Sequence, residues 1–351
     1  MFERRRLASR RAFLQRLAQG AGLALGSDGI VSAARAADGD AIRCNAQSGS
    51  ATCQNCCPHE HWLIRTENAP VCGDFGRGYA CITYWQQCGD TWRQATHATF
   101  IATMSLDWPV SFFVHGYNAS ERAAIADSDK FIAASCCGGP FRFVTWVWPA
   151  RHQFARGVVF NLEDKMQRAR AQAYYLARTI EEIAPATPLT LIGHSFGTRV
   201  VGGALHDLAV RQVGASPLLG RPAGETVARP MQALLLASAL ETSAFVAGGS
   251  AEGALSQVDR LLLTYNPDDR ILGYMAHYLG RRDLLGLTGL SLGASESNTR
   301  GQLISFNANS WLGRNHLVPR FMRHPPLVAR LRPHLVYRDA VNLEIPATVK
   351  P

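Results

Sequence analysis

The sequence predicts an α/β fold: a mostly parallel sheet with helices on both faces, plus a cysteine-rich N-terminal extension. Three observations carry this. From about residue 98, short apolar runs alternate with longer segments whose apolar residues recur at spacings of three and four. The runs at 110–114, 141–148, 189–193, 231–240 and 261–265 are almost continuously apolar, as strands covered on both sides are. All nine cysteines precede residue 138, and seven fall within 44–88, so cysteine chemistry is confined to the first part of the chain.

Length and composition set the outer bounds. The 351 residues are 47% hydrophobic, enough for one large core with an appendage. No segment reaches the roughly 18 unbroken apolar residues of a transmembrane helix, and no internal repeat is present. The formal charge of +9 is partly terminal: residues 1–36 hold seven Arg and two acids, leaving 29 basic and 25 acidic residues in 37–351. Those basic residues read as scattered, without interleaved stacking aromatics, which argues against a nucleic-acid partner.

The N-terminus reads as an export signal. Ser9-Arg10-Arg11-Ala12-Phe13-Leu14 resembles a twin-arginine signal, a weakly apolar stretch covers 17–25, and Ala34-Arg35-Ala36 is an A-x-A-like cleavage site. The expected organisation is a signal at 1–36, a cysteine-rich extension at 37–95 and the main domain at 96–351, with a periplasmic or secreted address. An oxidising compartment permits disulfides among Cys44, Cys53, Cys56, Cys57, Cys72, Cys81, Cys88, Cys136 and Cys137; the odd count leaves a thiol over. A zinc site at Cys53-x-x-Cys56-Cys57-Pro58-His59-Glu60-His61 is the competing reading, weakened by the lack of a repeated C-x-x-C. No metal or other cofactor is expected.

Along the main domain the elements follow in order. Residues 98–106 and 110–114 read as strands. A helix over 120–134 is stopped by Cys136-Cys137-Gly138-Gly139-Pro140, and a strand over 141–148 ends at Pro149. The long helix at 161–184 has Met166, Ala169, Ala173, Leu176, Ala177 and Ile180 on one face. A strand at 189–193 leads into a helix at 198–211 that faces Val200, Val201, Ala204, Leu205 and Leu208 inward. Strands at 231–240 and 261–265, a helix at 270–282, a strand at 302–306 and a helix from 317 complete the chain. The segments 213–230 and 284–300 are flexible candidates for a lid. Trp146 and Trp148 alternate along a strand and read as core before pocket.

In such sheets ligands bind beyond the carboxyl ends of the strands, and three strand ends here carry reactive chemistry. Gly193-His194-Ser195-Phe196-Gly197 is a G-x-S-x-G turn between strand and helix. The glycines let strand and helix pass closely while the turn presents the Ser195 hydroxyl above the sheet. The second copy, Gly289-Leu290-Ser291-Leu292-Gly293, follows no β-branched strand, so Ser195 is the expected nucleophile. His115-Gly116-Tyr117 follows the 110–114 strand, and Gly116 permits close backbone approach. An acyl-transfer oxyanion needs about two preorganised donors; the N–H groups of Phe196 and Tyr117 are the expected pair. Asn266-Pro267-Asp268-Asp269 follows the 261–265 strand and supplies the acid. Asp269 is favoured, with Asp268 as a cap for the next helix. His316 follows the last strand and is favoured as the base over His324 and His334.

The three segments Phe113-Val114-His115-Gly116-Tyr117-Asn118, Thr145-Trp146-Val147-Trp148-Pro149 and Gly193-His194-Ser195-Phe196-Gly197, in this order, resemble a bacterial family of largely uncharacterised alpha/beta hydrolases. The resemblance spans about 98–325 and implies an eight-strand-type sheet with a Ser–His–Asp triad, here Ser195, His316 and Asp269. It implies no substrate and says nothing of the cysteine-rich extension. The expected activity is serine-dependent cleavage of a small-molecule carboxylic ester, lipid esters being a subset. The alternative is a silent hydrolase fold serving as an envelope binding protein. Oligomeric state is left open.

Overall fold

The computed structural model describes residues 58–338 apart from 72–74, 106, 137, 151–157, 214–228, 282 and 291–301. The expected signal, the Cys53–Cys57 run, Ser291 and most of both lid candidates lie outside the described residues. Among the described residues the chain forms a nine-stranded sheet in the order β3-β2-β1-β5-β4-β6-β7-β8-β9. The strands are β1 (His59–Arg65), β2 (Thr83–Cys88), β3 (Thr91–Ala95), β4 (Val110–Val114), β5 (Phe141–Val147), β6 (Leu189–His194), β7 (Met231–Leu236), β8 (Arg260–Tyr265) and β9 (Gln302–Asn307). Every neighbouring pair from β1 across to β9 is parallel, and β2 and β3 add an antiparallel edge.

The described part of the expected extension joins the main sheet. Residues 59–95 supply three strands of the one sheet, and β1 lies between β2 and β5. Its run Trp62-Leu63-Ile64 is fully buried, which is why it takes an interior place despite the cysteines around it.

A second difference falls at 98–106. The chain there is a helix, α2 (His97–Met104), after the short α1 (Phe75–Tyr79). Thr96 caps it by accepting from the Thr99 N–H, and Phe100 and Met104, four apart, share the buried face. The cap and this spacing outweigh the β-branched content.

The remaining main helices are α3 (Glu121–Ser135), α4 (Val158–Glu182), α5 (Gly197–Val213) and α6 (Arg270–Leu279), followed by the short α7 (Leu285–Thr288), α8 (Asn309–Leu312), α9 (Val318–Phe321) and α10 (Pro325–Leu331). α4 buries Ala169, Ala173, Leu176, Ala177 and Ile180, while Met166, at the start of that stripe, is exposed. α5 buries Val200, Val201, Ala204, Leu205 and Leu208. Among the described residues no helix is long and apolar enough to cross a membrane.

The register sets up the site. Gly193 of β6 stands opposite Val114 of β4 and Leu235 of β7. Three neighbouring strands therefore end level with one another, and the residues that follow them meet above the same edge.

Candidate active site

Ser195 sits between the end of β6 and the start of α5, with φ at 54°. Among the described residues the other non-glycines at positive φ are Asn118, after β4, and Ala237, after β7. Left-handed backbone is costly for residues with a Cβ, so the surroundings must hold it. Here they do. The Ser195 N–H donates to the Leu236 carbonyl at 2.9 Å. The Ser195 carbonyl accepts from the Thr198 N–H at 3.1 Å, the Ala239 N–H at 3.3 Å and the Thr198 hydroxyl at 2.5 Å. Thr198 in turn accepts from the Ser238 hydroxyl at 3.1 Å. The turn is thus tied to the exit of β7.

The flanking glycines are required by close approach. A Cβ on Gly197 would overlap the Val114 carbonyl oxygen, and one on Gly193 would lie 2.8 Å from the Thr198 Cα. A Cβ on Gly116 would lie 2.9 Å from the Ser195 Cβ and 3.0 Å from His194 Nδ1. The loop after β4 therefore presses directly on the serine.

His115 fixes that loop. Trp148 donates its backbone N–H to His115 Nε2 at 3.3 Å, which leaves the proton on Nδ1 to donate to the Gly116 carbonyl at 3.0 Å. The ring stacks on Trp148, whose indole N–H donates to the His115 carbonyl at 2.9 Å. Burial pushes the imidazole down to about 4, so it is neutral. Trp146 and Trp148 are both buried in the core. Tyr117 packs its ring against that of Phe196, centroids 5.7 Å apart. Among the described residues no backbone acceptor takes the Phe196 N–H.

The acid and the base meet across 47 residues. His316 Nδ1 lies 2.8 Å from Asp269 Oδ2, both groups buried. The other carboxylate oxygen accepts the N–H groups of Ile271 and Leu272 at 2.9 and 3.0 Å, so Asp269 is itself the N-cap of α6. The expected division of labour between the two aspartates is corrected by this. Asp268 does not cap the helix; it is exposed and accepts from the Asn309 amide at 3.2 Å. Among the described residues neither His324 nor His334 pairs with a carboxylate. His334 is buried, and burial pushes it down to about 4.

Two residues without an expected role hold the His316 loop. His194 Nε2 donates to the His316 carbonyl at 2.8 Å, and the two rings lie 5.0 Å apart. Burial, with the neighbouring His316, pushes His194 down to about 3, which keeps Nδ1 unprotonated toward Gly116. The Asn266 side-chain amide donates to the carbonyls of Gly313 and Asn315 at 2.7 and 3.5 Å. His194 precedes Ser195 by one residue and Asn266 precedes Asp269 by three, so both sequence signals sat inside motifs already in view. His194, next to Ser195 in the chain, thereby ties the serine turn to the His316 loop. The Ser195 hydroxyl makes no hydrogen bond to the imidazole among the described residues.

The described half of the cysteine–histidine run is engaged elsewhere. His61 is buried between Gln87 and Thr145, at 3.1 and 2.8 Å, and burial pushes it down to about 3. His59 stacks on Phe141. Among the described residues no group of three or more His, Cys, Asp or Glu is placed to hold a metal ion.

The model of an alpha/beta hydrolase family of unknown function, DUF900, matches residues 93–287. The chain belongs to that family. None of the curated proteins matches this alpha/beta hydrolase. Among solved structures it is similar to an uncharacterized protein from Bacillus cereus, at 11% identity and a TM-score of 0.34, covering 65% of this chain and 58% of that one. It is also similar to an esterase/lipase from an uncultured bacterium, at 12% identity and a TM-score of 0.32, covering 72% and 79%. A third is esterase B from Lactobacillus rhamnosis, at 12% identity and a TM-score of 0.35, covering 77% and 82%. This alpha/beta hydrolase spans 58% of the length of the first of them.

Proposed function

We propose that the protein is a serine hydrolase that cleaves a carboxylic ester, lipid esters included, through an acyl-enzyme intermediate. The contact between Asp269 and His316, at the same sheet edge as Ser195, carries this reading. With the Nδ1 proton donated to Asp269, the free lone pair of His316 lies on Nε2, where a general base needs it. Ser195 Oγ attacks the ester carbonyl as His316 takes its proton. The N–H groups of Phe196 and Tyr117 receive the oxyanion, and His316 returns the proton to the departing alkoxide. Water then repeats the sequence on the acyl-enzyme.

A second reading is a silent hydrolase fold that binds a partner in the envelope. The missing hydrogen bond between the Ser195 hydroxyl and His316 favours it. One experiment separates the two: a fluorophosphonate probe and a nitrophenyl ester, applied to the wild type, Ser195→Ala and Ser291→Ala. Labelling and turnover lost in Ser195→Ala and retained in Ser291→Ala support the hydrolase. No labelling of folded wild type supports the silent fold.

The export reading belongs to the same proposal: a twin-arginine signal at 1–36 and delivery to an oxidising compartment. Disulfides among the early cysteines belong to the same reading, since such a compartment permits them. Replacing Arg10 and Arg11 with Lys and following the protein between cytoplasmic and exported fractions tests it.

A further inference from the structure

We propose that the basic surface beside His316 docks onto an anionic lipid surface, in addition to whatever ester the site cleaves. The basic residues beyond residue 36, which read as scattered along the chain, are in one segment concentrated. Residues 302–338 hold six Arg and no Asp or Glu, leaving 23 basic and 25 acidic residues in the rest of 37–351. The net excess outside the first 36 residues therefore lies in the segment that carries His316.

The fold turns much of that charge outward. Arg314, Arg320 and Arg323 are exposed, and among the described residues none of them forms an ion pair. α9 buries Val318 and Phe321, which directs Leu317 and Arg320, three apart, to solvent. Leu317 is 46% exposed, next to His316 in the chain and with arginines on either side. The carboxylates bonded to side chains of this segment are already engaged: Asp269 with His316, Asp268 with Asn309, and Asp259 with both the Tyr337 hydroxyl and the Met231 N–H.

The chemistry of the patch selects among anionic partners. A nucleic acid gains from exposed aromatic faces on which bases stack. Among the described residues the exposed large hydrophobics are Met166, Val210, Val246 and Leu317, none aromatic and only Leu317 in this segment, and Trp311 has Phe306 and Arg330 against its ring. A protein partner needs a contiguous apolar centre, whereas Leu317 stands among charges. Guanidinium groups that reach phosphates around one inserted leucine match a phospholipid headgroup layer. Docking this way holds the loop that carries His316 against the lipid.

Flotation with vesicles tests the proposal, using the full Ser195→Ala chain so that binding is read apart from hydrolysis. The N-terminal arginines are common to all variants, so differences between variants report the patch. The expected result is binding to equimolar phosphatidylcholine–phosphatidylglycerol vesicles and far less to phosphatidylcholine alone, weakening as salt rises. A surface charge is worth about fivefold in partitioning, so Arg320→Gln with Arg323→Gln lowers binding by about 25-fold. Leu317→Ser lowers the part that survives high salt. Arg93→Gln with Arg122→Gln, on exposed residues elsewhere, leaves binding unchanged. In the Ser195 background, turnover of a soluble ester is unaffected by the Arg320 and Arg323 changes. Equal binding to both vesicle types overturns the proposal. So does an equal loss in the Arg93/Arg122 pair, or retention on heparin with no vesicle binding. Thermal melts of each variant confirm folding. If the Arg320/Arg323 pair unfolds, Arg314→Gln reads the same outcome with a fivefold drop.

Discussion

The Asp269 carboxylate holds two things at once: one oxygen lies 2.8 Å from His316 Nδ1, and the other caps α6 through Ile271 and Leu272. The two duties separate by substitution. Asn is as good a cap as Asp, so Asp269→Asn keeps the helix start and loses the charge that orients the imidazole. Turnover falls roughly 10³- to 10⁴-fold with a melting temperature near wild type. Asp269→Ala loses as much activity and also about 1 kcal/mol of stability. Asp268→Asn changes neither by much. Ester turnover and thermal melts on the three variants check this.

His194 and Asn266 hold the carbonyls of the His316 loop, and neither meets substrate in the proposed reaction. Removing either donor lets the loop shift, and a displacement of about 1 Å costs roughly 10²-fold in turnover. His194→Phe and Asn266→Ala therefore lower kcat with KM little changed. His194→Gln, whose amide reaches the same carbonyl, recovers most of the loss. A merely structural residue gives no such rescue at equal stability.

Gly197 and Gly116 both lie under contact, against different neighbours. The Gly197 Cβ position is filled by the Val114 carbonyl of a central strand, which cannot yield. Gly197→Ala costs about 3 kcal/mol. At Gly116 the neighbours are the Ser195 Cβ and the His194 ring. Gly116→Ala costs about 1 kcal/mol and lowers turnover far more than stability. Denaturant melts beside ester assays distinguish the two patterns.

Among the described residues burial holds four histidines neutral: it pushes His61 and His194 to about 3, and His115 and His334 to about 4. Their folded values lie below that of the unfolded chain, about 6.5. The unfolded state then binds protons that the folded state refuses. Stability is full above pH 6.5 and falls as pH drops toward 4, by up to about 1.4 kcal/mol per pH unit for each histidine. Asp127, pushed up to about 6 by burial, works in the opposite direction and offsets part of one. Melts between pH 8 and 4.5 follow the decline. His334→Leu flattens it while costing little at pH 7, because His334 Nδ1 is buried without a partner.

The parallel strands from 110 onward were legible because each is an apolar run ended by glycine, proline or a polar turn. The loops that carry Ser195, Tyr117 and Asp269 were legible for the same reason: in this topology the residues after each strand share one edge. The helix at His97–Met104 was not, since its β-branched residues speak for a strand and its cap is a single Thr96. The place of β1 in the sheet was hidden by the cysteines that surround it. The holding roles of His194 and Asn266 depend on where a loop more than 40 residues away comes to rest, which no local pattern encodes. The concentration of charge near His316 was in the sequence throughout, and its outward direction came from the burial of Val318 and Phe321.

The Ser111 hydroxyl, on a central strand, donates to the Leu335 carbonyl at 2.7 Å, 224 residues later. At the opposite end of the chain, β1 waits for β5, some 80 residues on, before it has its parallel neighbour. Native pairing so distributed makes folding slow and late. A chain emerging from the ribosome cannot close its sheet until almost all of it is free, and its unpaired strands are meanwhile exposed to one another and to other chains. Yield of this protein should therefore depend less on its final stability than on what shelters it during those first seconds, and a C-terminal truncation ending before Leu335 should be found in aggregates.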